Sequence, residues 1–248
     1  MGSSRLAGKV LMKIDEKVVL EYVLEQLKFC NFIDKLIVAT TKLPEDDEVV
    51  ECVKNMNVDF FRGSEKNVLD RYYQCAKKFP MDIIVRITAD NPLIDPFLVD
   101  LSIKTFLEQS VDYVTNCRKR TFPYGTEVEV LNFNILEHCW KNSKKPSELE
   151  HVTPYIYNNE KKFKIFNLLN NKDLSHFRWT VDHKNDLKLV KELVSKIQKR
   201  PILMKDILEI FSKEPDLKNI NKKNIPDEGF LKSLKEDEDY FRSKNSDQ

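Results

Sequence analysis

Apolar positions recur along the first 200 residues in two alternating rhythms. Leu20, Val23, Leu24 and Leu27 fall at i, i+3, i+4 and i+7 with Glu21, Glu25 and Lys28 opposite, which predicts an amphipathic helix. Residues 36 to 40 form a short β-rich run that Pro44 closes. Val49, Cys52, Val53 and Met56 restore the helical period, and residues 45 to 48 supply carboxylates where a helix N-terminus is electropositive. Residues 58 to 61 read as a strand ending at Gly63, 67 to 79 as a helix, and 83 to 87 as a strand apolar on both faces. A further helix, a strand over 112 to 115 and another helix follow.

This alternation implies parallel strands joined by crossovers, an α/β fold with a doubly wound, mostly parallel sheet. Ligands of such sheets sit beyond the carboxyl ends of the strands, so strand-to-loop junctions are the places to search. Residues 1 to 9 look like a loop, and residues 10 to 14 are equally compatible with a short strand. From about residue 120 the pattern changes. Residues 126 to 131 and 163 to 168 suggest a small β-containing subdomain beside the main sheet, over about 120 to 170, whose helices could form a homodimer interface. A main domain over 1 to 200 would then be followed by a helical appendage and polar tail over 201 to 248.

Composition narrows the class. With 248 residues, 41% of them hydrophobic, a sizeable core is possible and wholesale disorder is excluded. The 41 Lys and Arg against 40 Asp and Glu argue against nucleic-acid binding through a broad basic face. Apolar runs stay far short of the ~20 residues that span a bilayer, so no membrane partner is expected. The five cysteines contain no CxxC pair, which fits neither a zinc site nor a disulfide framework. Reduced thiols and no charged-then-apolar leader make a cytoplasmic protein the expectation.

Three segments could carry chemistry. In residues 2 to 9, two of the five glycines stand beside Ser3, Ser4, Arg5 and Lys9, just before a helix. Hydroxyls, backbone N–H groups and two cations are what a polyphosphate needs, although the spacing is not that of a P-loop, and a solvated N-terminus is the competing reading. In residues 86 to 96, a buried strand runs into Asp90, a hard oxygen ligand suited to Mg²⁺, while Asp95 before Pro96 reads as a helix cap. In residues 178 to 187, a short strand ends at Asp182, either a second metal ligand or a cap, with Asn185 and Asp186 as ordinary capping residues. His138, Tyr72, Tyr73 and Phe79 read as structural, and the acidic triplet at 237 to 239 as a solvated run.

With those residues in view, the chain resembles the cytidylyltransferases of the acylneuraminate and spore-coat polysaccharide (SpsF-like) group. The likeness rests on GSSRLAGKVL at 2 to 11, FRGSEKNVLDRYY at 61 to 73, RITADNPLIDP at 86 to 96, TFPYGTEVEV at 121 to 130, ELEHVTPYI at 148 to 156 and LSHFRWTVDHKNDL at 174 to 187. It implies transfer of CMP from CTP to a sugar or sugar-acid hydroxyl with release of pyrophosphate, for surface polysaccharide. On that resemblance Ser3, Ser4, Arg5, Lys9, Arg62 and Ser64 would contact nucleotide, with Arg5, Lys9 and Asp90 in catalysis. Asp90 and Asp182 would hold Mg²⁺. Tyr124, Gly125, Glu127, Glu129, Glu150 and His151 would line the acceptor side.

Departures from the family pattern are Ala89 where Gly is usual, Asn91 where Cys or Glu is common, and Ala7 where Pro is. The family also carries a buried strand and an Ala-Arg segment ahead of the stretch that here begins at Met1, so this chain is expected to lack that strand. Two alternatives stand beside the enzyme reading: a glycosyltransferase using a nucleotide-sugar donor, and an inactive nucleotide-binding homologue.

Overall fold

The computed structural model describes residues 5–246. Residues 10 to 14, open between loop and strand, are part of each: Lys9–Leu11 makes one 3₁₀ turn, then Lys13–Ile14 (β1) pairs antiparallel with Lys17–Val18 (β2) in a small sheet of its own. Asp15, with φ of 52°, occupies the left-handed position that turns this hairpin. The predicted amphipathic helix follows as Val19–Leu27 (α1), and Leu20, Val23, Leu24 and Leu27 are all buried.

Ile37–Thr41 (β3), Asp47–Asn55 (α2) and Asp59–Gly63 (β4) form a parallel unit, with Ile37 opposite Asp59 and Thr41 opposite Gly63. Asn67 caps Val68–Lys78 (α3) by accepting from Asp70 N, and Ile83–Arg86 (β5) follows. Pro96–Gln109 (α4) starts as its sequence foretells: Asp95 accepts from Phe97 N, and Pro96 fills the first turn. Tyr113–Thr115 (β6) completes the alternating part of the chain.

The strands expected in a separate subdomain are instead members of the main sheet. Glu129–Asn132 (β7) runs antiparallel between β5 and β6, and after Phe133–Asn142 (α5), Pro146–His151 (α6) and Pro154–Asn158 (α7), Ile165–Asn167 (β8) pairs parallel with β6. The order is β5-β7-β6-β8, so three strands run one way and β7 the other. Among the described residues no ladder joins this sheet to the β3–β4 pair.

Both faces of the larger sheet are covered, which explains why its strands read as continuous apolar runs. Val114 and Val130 enter one core with Ile103 and Phe106 of α4, while their neighbours Tyr113 and Leu131 enter another with Leu136 of α5 and Ile156 of α7. Tyr73 stacks on Trp140 with ring centroids 4.1 Å apart and is buried, while His138, though exposed, packs its ring against Tyr155 and Phe163. Lys184–Lys196 (α8) and Met204–Lys213 (α9) pack around buried Trp179 and β1. Among the described residues no helix is long and apolar enough to cross a membrane.

The last helix corrects one expectation. Glu228–Ser246 (α10) packs on α6, and Asp237 of the acidic triplet is 8% exposed rather than solvated. Its carboxylate accepts from Ser147 N at 2.9 Å and Ser147 Oγ at 2.6 Å. Because Lys145, the residue before α6, has no acceptor atom to cap it, Asp237 supplies the cap from a neighbouring helix. Asp237→Ala is expected to cost about 1–2 kcal/mol and to lower Tm by roughly 2–8 °C, read by differential scanning calorimetry. An unchanged Tm would show the contact to be idle.

Candidate active site

Two loops build the site: one carries Asp90 four residues beyond the end of β5, and the other carries Asp182, where the expected short strand is reduced to an isolated bridge between Tyr124 and Arg178. Val181 N donates to Asp90 O at 2.8 Å and Thr180 Oγ1 reaches the same oxygen at 3.2 Å, which sets residues 90 and 182 side by side. Into the space between their carboxylates comes Lys9, whose ammonium donates to Asp90 Oδ2 at 2.5 Å and Asp182 Oδ1 at 2.8 Å. Gly8, with φ of 66°, turns the chain immediately before it. Arg5 donates to Asp182 Oδ1 at 2.6 Å, so Arg5, Lys9, Asp90 and Asp182 meet in one place.

Arg178 completes this cluster, donating to Asp182 Oδ2 at 2.6 Å and, through Nε, to Asp186 Oδ1 at 3.1 Å. Asp186 is fully buried and also accepts from Asp182 N and His183 N, so the cap at the start of α8 holds Arg178 and Asp182 in register. Asp182 itself is no cap; its carboxylate faces the cations. On the far side, Glu228 of α10 lies 3.9 Å from Arg5 and 2.9 Å from His183 Nε2. Arg178, His183 and Glu228 were not singled out from sequence, although Arg178 sits at i−4 from Asp182 in the motif that was.

The field in this cluster is strong. Burial alone would raise the Asp182 carboxyl, but Lys9, Arg5 and Arg178 outweigh it and hold the group at about 2. Burial would lower Lys9, yet Asp90 and Asp182 push it above the ordinary lysine value. A carboxyl whose folded-state pKa is depressed adds stability above its ordinary value of 3.8, and loses it as pH falls from there towards 2. Asp182→Asn is therefore expected to be less stable than the parent chain by roughly 2 kcal/mol at pH 7, with the gap closing below about pH 4. Urea midpoints at pH 7, 4 and 2.5 measure this; a gap constant with pH would contradict it.

The acceptor-side candidates lie next to this cluster. Tyr124 bridges to Arg178 in parallel, with Trp179 N donating to Tyr124 O at 2.8 Å. Gly125 (φ 103°) fits because a Cβ there would stand 2.7 Å from Thr180 N. Arg120 stacks its guanidinium 3.7 Å over the Tyr124 ring and pairs with Glu127 at 2.7 Å. Glu127 also accepts from Asn91 at 2.9 Å, linking this segment to the Asp90 loop. Glu150 and His151 both meet Ser233 of α10.

Glu129 is a different case. At 5% exposure it lies beneath the surface, taking hydrogen bonds from Arg86, Tyr113 and Thr153. It works as the anchor of a buried network, with Arg86 its opposite residue in the β5–β7 ladder. Arg62 and Ser64 are likewise committed locally. The Arg62 guanidinium donates to Thr41 O, Leu43 O and Asp47, bracing the loop after β3, and Ser64 Oγ accepts from Asn67 N ahead of α3. Neither has a hydrogen bond to the Asp90–Asp182 cluster among the described residues. Ser3 and Ser4 lie outside the described residues.

The donor set suits one small divalent cation. Both carboxylates present oxygen to a single ammonium, and Mg²⁺ is commonly held by one or two carboxylates together with substrate phosphates and water. Among the described residues no group of three or more His, Cys, Asp and Glu side chains could hold a metal ion, so a cation held here would need further ligands from phosphate or water.

The α/β fold is the nucleotidyltransferase-like fold of a solved cytidylyltransferase, and its clustered basic and acidic side chains lie in the crevice where such sheets take ligands. The family described as cytidylyltransferase matches residues 1–235, and the chain belongs to it. It is 41% identical over 222 residues to the protein MJ1063 of Methanocaldococcus jannaschii, covering 89% of this chain and 90% of that one. It is 31% identical over 226 residues to the spore coat polysaccharide biosynthesis protein SpsF of Bacillus subtilis, covering 87% and 92%. The structure of a cytidylyltransferase from Leptospira borgpetersenii matches with a TM-score of 0.86 at 36% identity, covering 91% and 94%.

Proposed function

We propose that the chain is a Mg²⁺-dependent enzyme that transfers CMP from CTP to a hydroxyl of a sugar or sugar acid, for a surface polysaccharide. The observation that carries this reading is the convergence of Asp90 and Asp182 on one ammonium, with Arg5 beside it. In the reaction an acceptor oxygen bonds to the α-phosphorus as the bond from phosphorus to the bridging oxygen breaks, and pyrophosphate leaves with the electron pair. Such chemistry depends on positioning and on neutralising phosphate charge.

Arg5 and Lys9, with Ser3 and Ser4 ahead of them, would hold the triphosphate. In the free chain their charges are already more than offset: the three cations Arg5, Lys9 and Arg178 face the four carboxylates of Asp90, Asp182, Asp186 and Glu228. A polyanion entering this cluster therefore favours a cation that comes with it, leaving Arg5 and Lys9 to the phosphates. Asp90 and Asp182 would hold the Mg²⁺, which when bound offsets phosphate charge. Tyr124, Gly125, Glu127, Glu150 and His151 would line the acceptor side, with Glu129 fixing the strand beneath them. The glycosyltransferase alternative loses its best motif, because Asp237 of the only DxD caps α6.

Pyrophosphate release from CTP and Mg²⁺, measured across a panel of sugars and sugar acids, tests the proposal. Release that requires both CTP and an acceptor is expected. Tight CTP binding by calorimetry without turnover on any acceptor would favour the inactive homologue instead.

A further inference from the structure

The acceptor side needs a base for the attacking hydroxyl, and most groups near it are unfit. Lys9 is held protonated by Asp90 and Asp182. Asp182, at about 2, is too weak a base, and the Tyr124 phenol, raised by burial and by Asp227 against the pull of Arg120, lies at about 12. Glu129 is saturated by Arg86, Tyr113 and Thr153.

His151 differs. Its Nε2 lies 3.0 Å from Ser233 Oγ, and Ser233 Oγ lies 2.6 Å from Glu150 Oε2. A hydroxyl has one proton, and a carboxylate at 2.6 Å is the strongest acceptor in reach, so Ser233 donates to Glu150 and accepts from His151. That fixes the tautomer with hydrogen on Nε2 and leaves a lone pair on Nδ1, which makes no hydrogen bond among the described residues. The edge of Phe230, with ring centroids 5.2 Å apart, holds the imidazole from the same helix.

Helix α10 also sets where this base stands. Arg5 lies against Gly229, where a Cβ would be 3.3 Å from its Nη1, and Ser233 is four residues further along the same helix. Four residues rise about 6 Å, so the α10 positions that meet the Arg5 guanidinium and the His151 ring are one turn apart, and Arg5 is close enough to act on the ring electrostatically. The inner face of α10 thus joins the phosphate side to the acceptor side.

We propose that His151, oriented by Ser233 and Glu150, takes the proton from the acceptor hydroxyl as its oxygen attacks the α-phosphorus of CTP. This rests on the cytidylyl-transfer reading. The proton passes to Nδ1, the new O–P bond forms, and pyrophosphate departs with the electrons of the broken bond. The charged groups facing the ring are Glu150, Arg86, Glu129 and Arg5; burial, with Arg86 and Arg5, outweighs the two carboxylates and keeps the imidazole neutral below its ordinary pKa of 6.5.

Single-turnover rates of His151→Gln and Ser233→Ala, with CTP, Mg²⁺ and whichever acceptor the parent chain uses, test the proposal. Thermal melts and CTP calorimetry serve as controls for folding and nucleotide binding. His151→Gln is expected to lose roughly 100-fold or more in rate with CTP affinity within about threefold. The acid limb of the parent's pH–rate profile, centred below the ordinary imidazole value, should vanish with it. Ser233→Ala, keeping the ring but not its orientation, should lose about tenfold. A His151→Gln rate within about threefold of the parent, or an unchanged acid limb, overturns the role of His151 while leaving the transferase reading intact. A parent chain that turns over no acceptor overturns both.

Discussion

Asp90→Asn and Asp182→Asn are each expected to lower kcat/KM for pyrophosphate release by roughly 10³-fold, about 4 kcal/mol of transition-state stabilisation. The two carboxylates share one ammonium in the free chain, and each would supply an oxygen ligand to the cation that accompanies the nucleotide. Asp182 should show the second consequence more strongly. It receives Arg5, Lys9 and Arg178, so neutralising it releases three cations from their common anchor, and CTP affinity should change along with rate. Steady-state kinetics with CTP and Mg²⁺ varied separately measures this. A variant at either position with kcat/KM within about tenfold of the parent would remove that carboxylate from the machinery.

The largest stability effect is expected beneath the site. Arg86→Met leaves Glu129 buried with its opposite charge gone, and breaking a buried pair from one side costs about 3–5 kcal/mol. For a chain of this size that lowers Tm by roughly 6–20 °C. Converting both partners, Arg86→Met with Glu129→Leu, should recover more than half of the loss, because no isolated charge then remains. The two side chains are cross-strand neighbours in the β5–β7 ladder, so such a swap preserves the sheet's register. Calorimetric melts of the single and double variants decide the matter; a double variant no more stable than Arg86→Met would show that the charge pair is not what Arg86 provides.

Much of the fold was legible because helix and strand periods alternate cleanly through residue 115, and because Asp95 and Asp186 are ordinary caps. The carboxylates at the heart of the site were legible for a related reason: each follows a short apolar run, although Asp90 stands four residues beyond β5 and the run before Asp182 forms only an isolated bridge. What hydropathy could not reveal is pairing. Glu129 alternates with Val128 and Val130 as a solvent-facing residue would, yet Arg86 waits opposite it in the interior. A period of two marks a strand and says nothing of its neighbours, so β7 was placed beside the sheet instead of within it.

The helical character of the C-terminal segment was legible, but the docking of α10 through Asp237 was not. Its inner face carries Ser233 and Asp237, which docks it through hydrogen bonds, while Leu231, Leu234 and Phe241 are exposed. Periodicity reveals the docking face of a helix that buries an apolar stripe and does not reveal one held by polar contacts. Arg62 illustrates a further limit: a cation at the end of a strand can serve a ligand or the loop next to it, and only its three local partners reveal which.

A crystal structure with CTP and Mn²⁺ bears most directly on the central claim, since the metal reveals itself by anomalous scattering. The expected result is one ion bonded to both Asp90 and Asp182, with Arg5 and Lys9 on the phosphates. An ion bound away from these two carboxylates, or a triphosphate lying out of reach of Lys9, would contradict it.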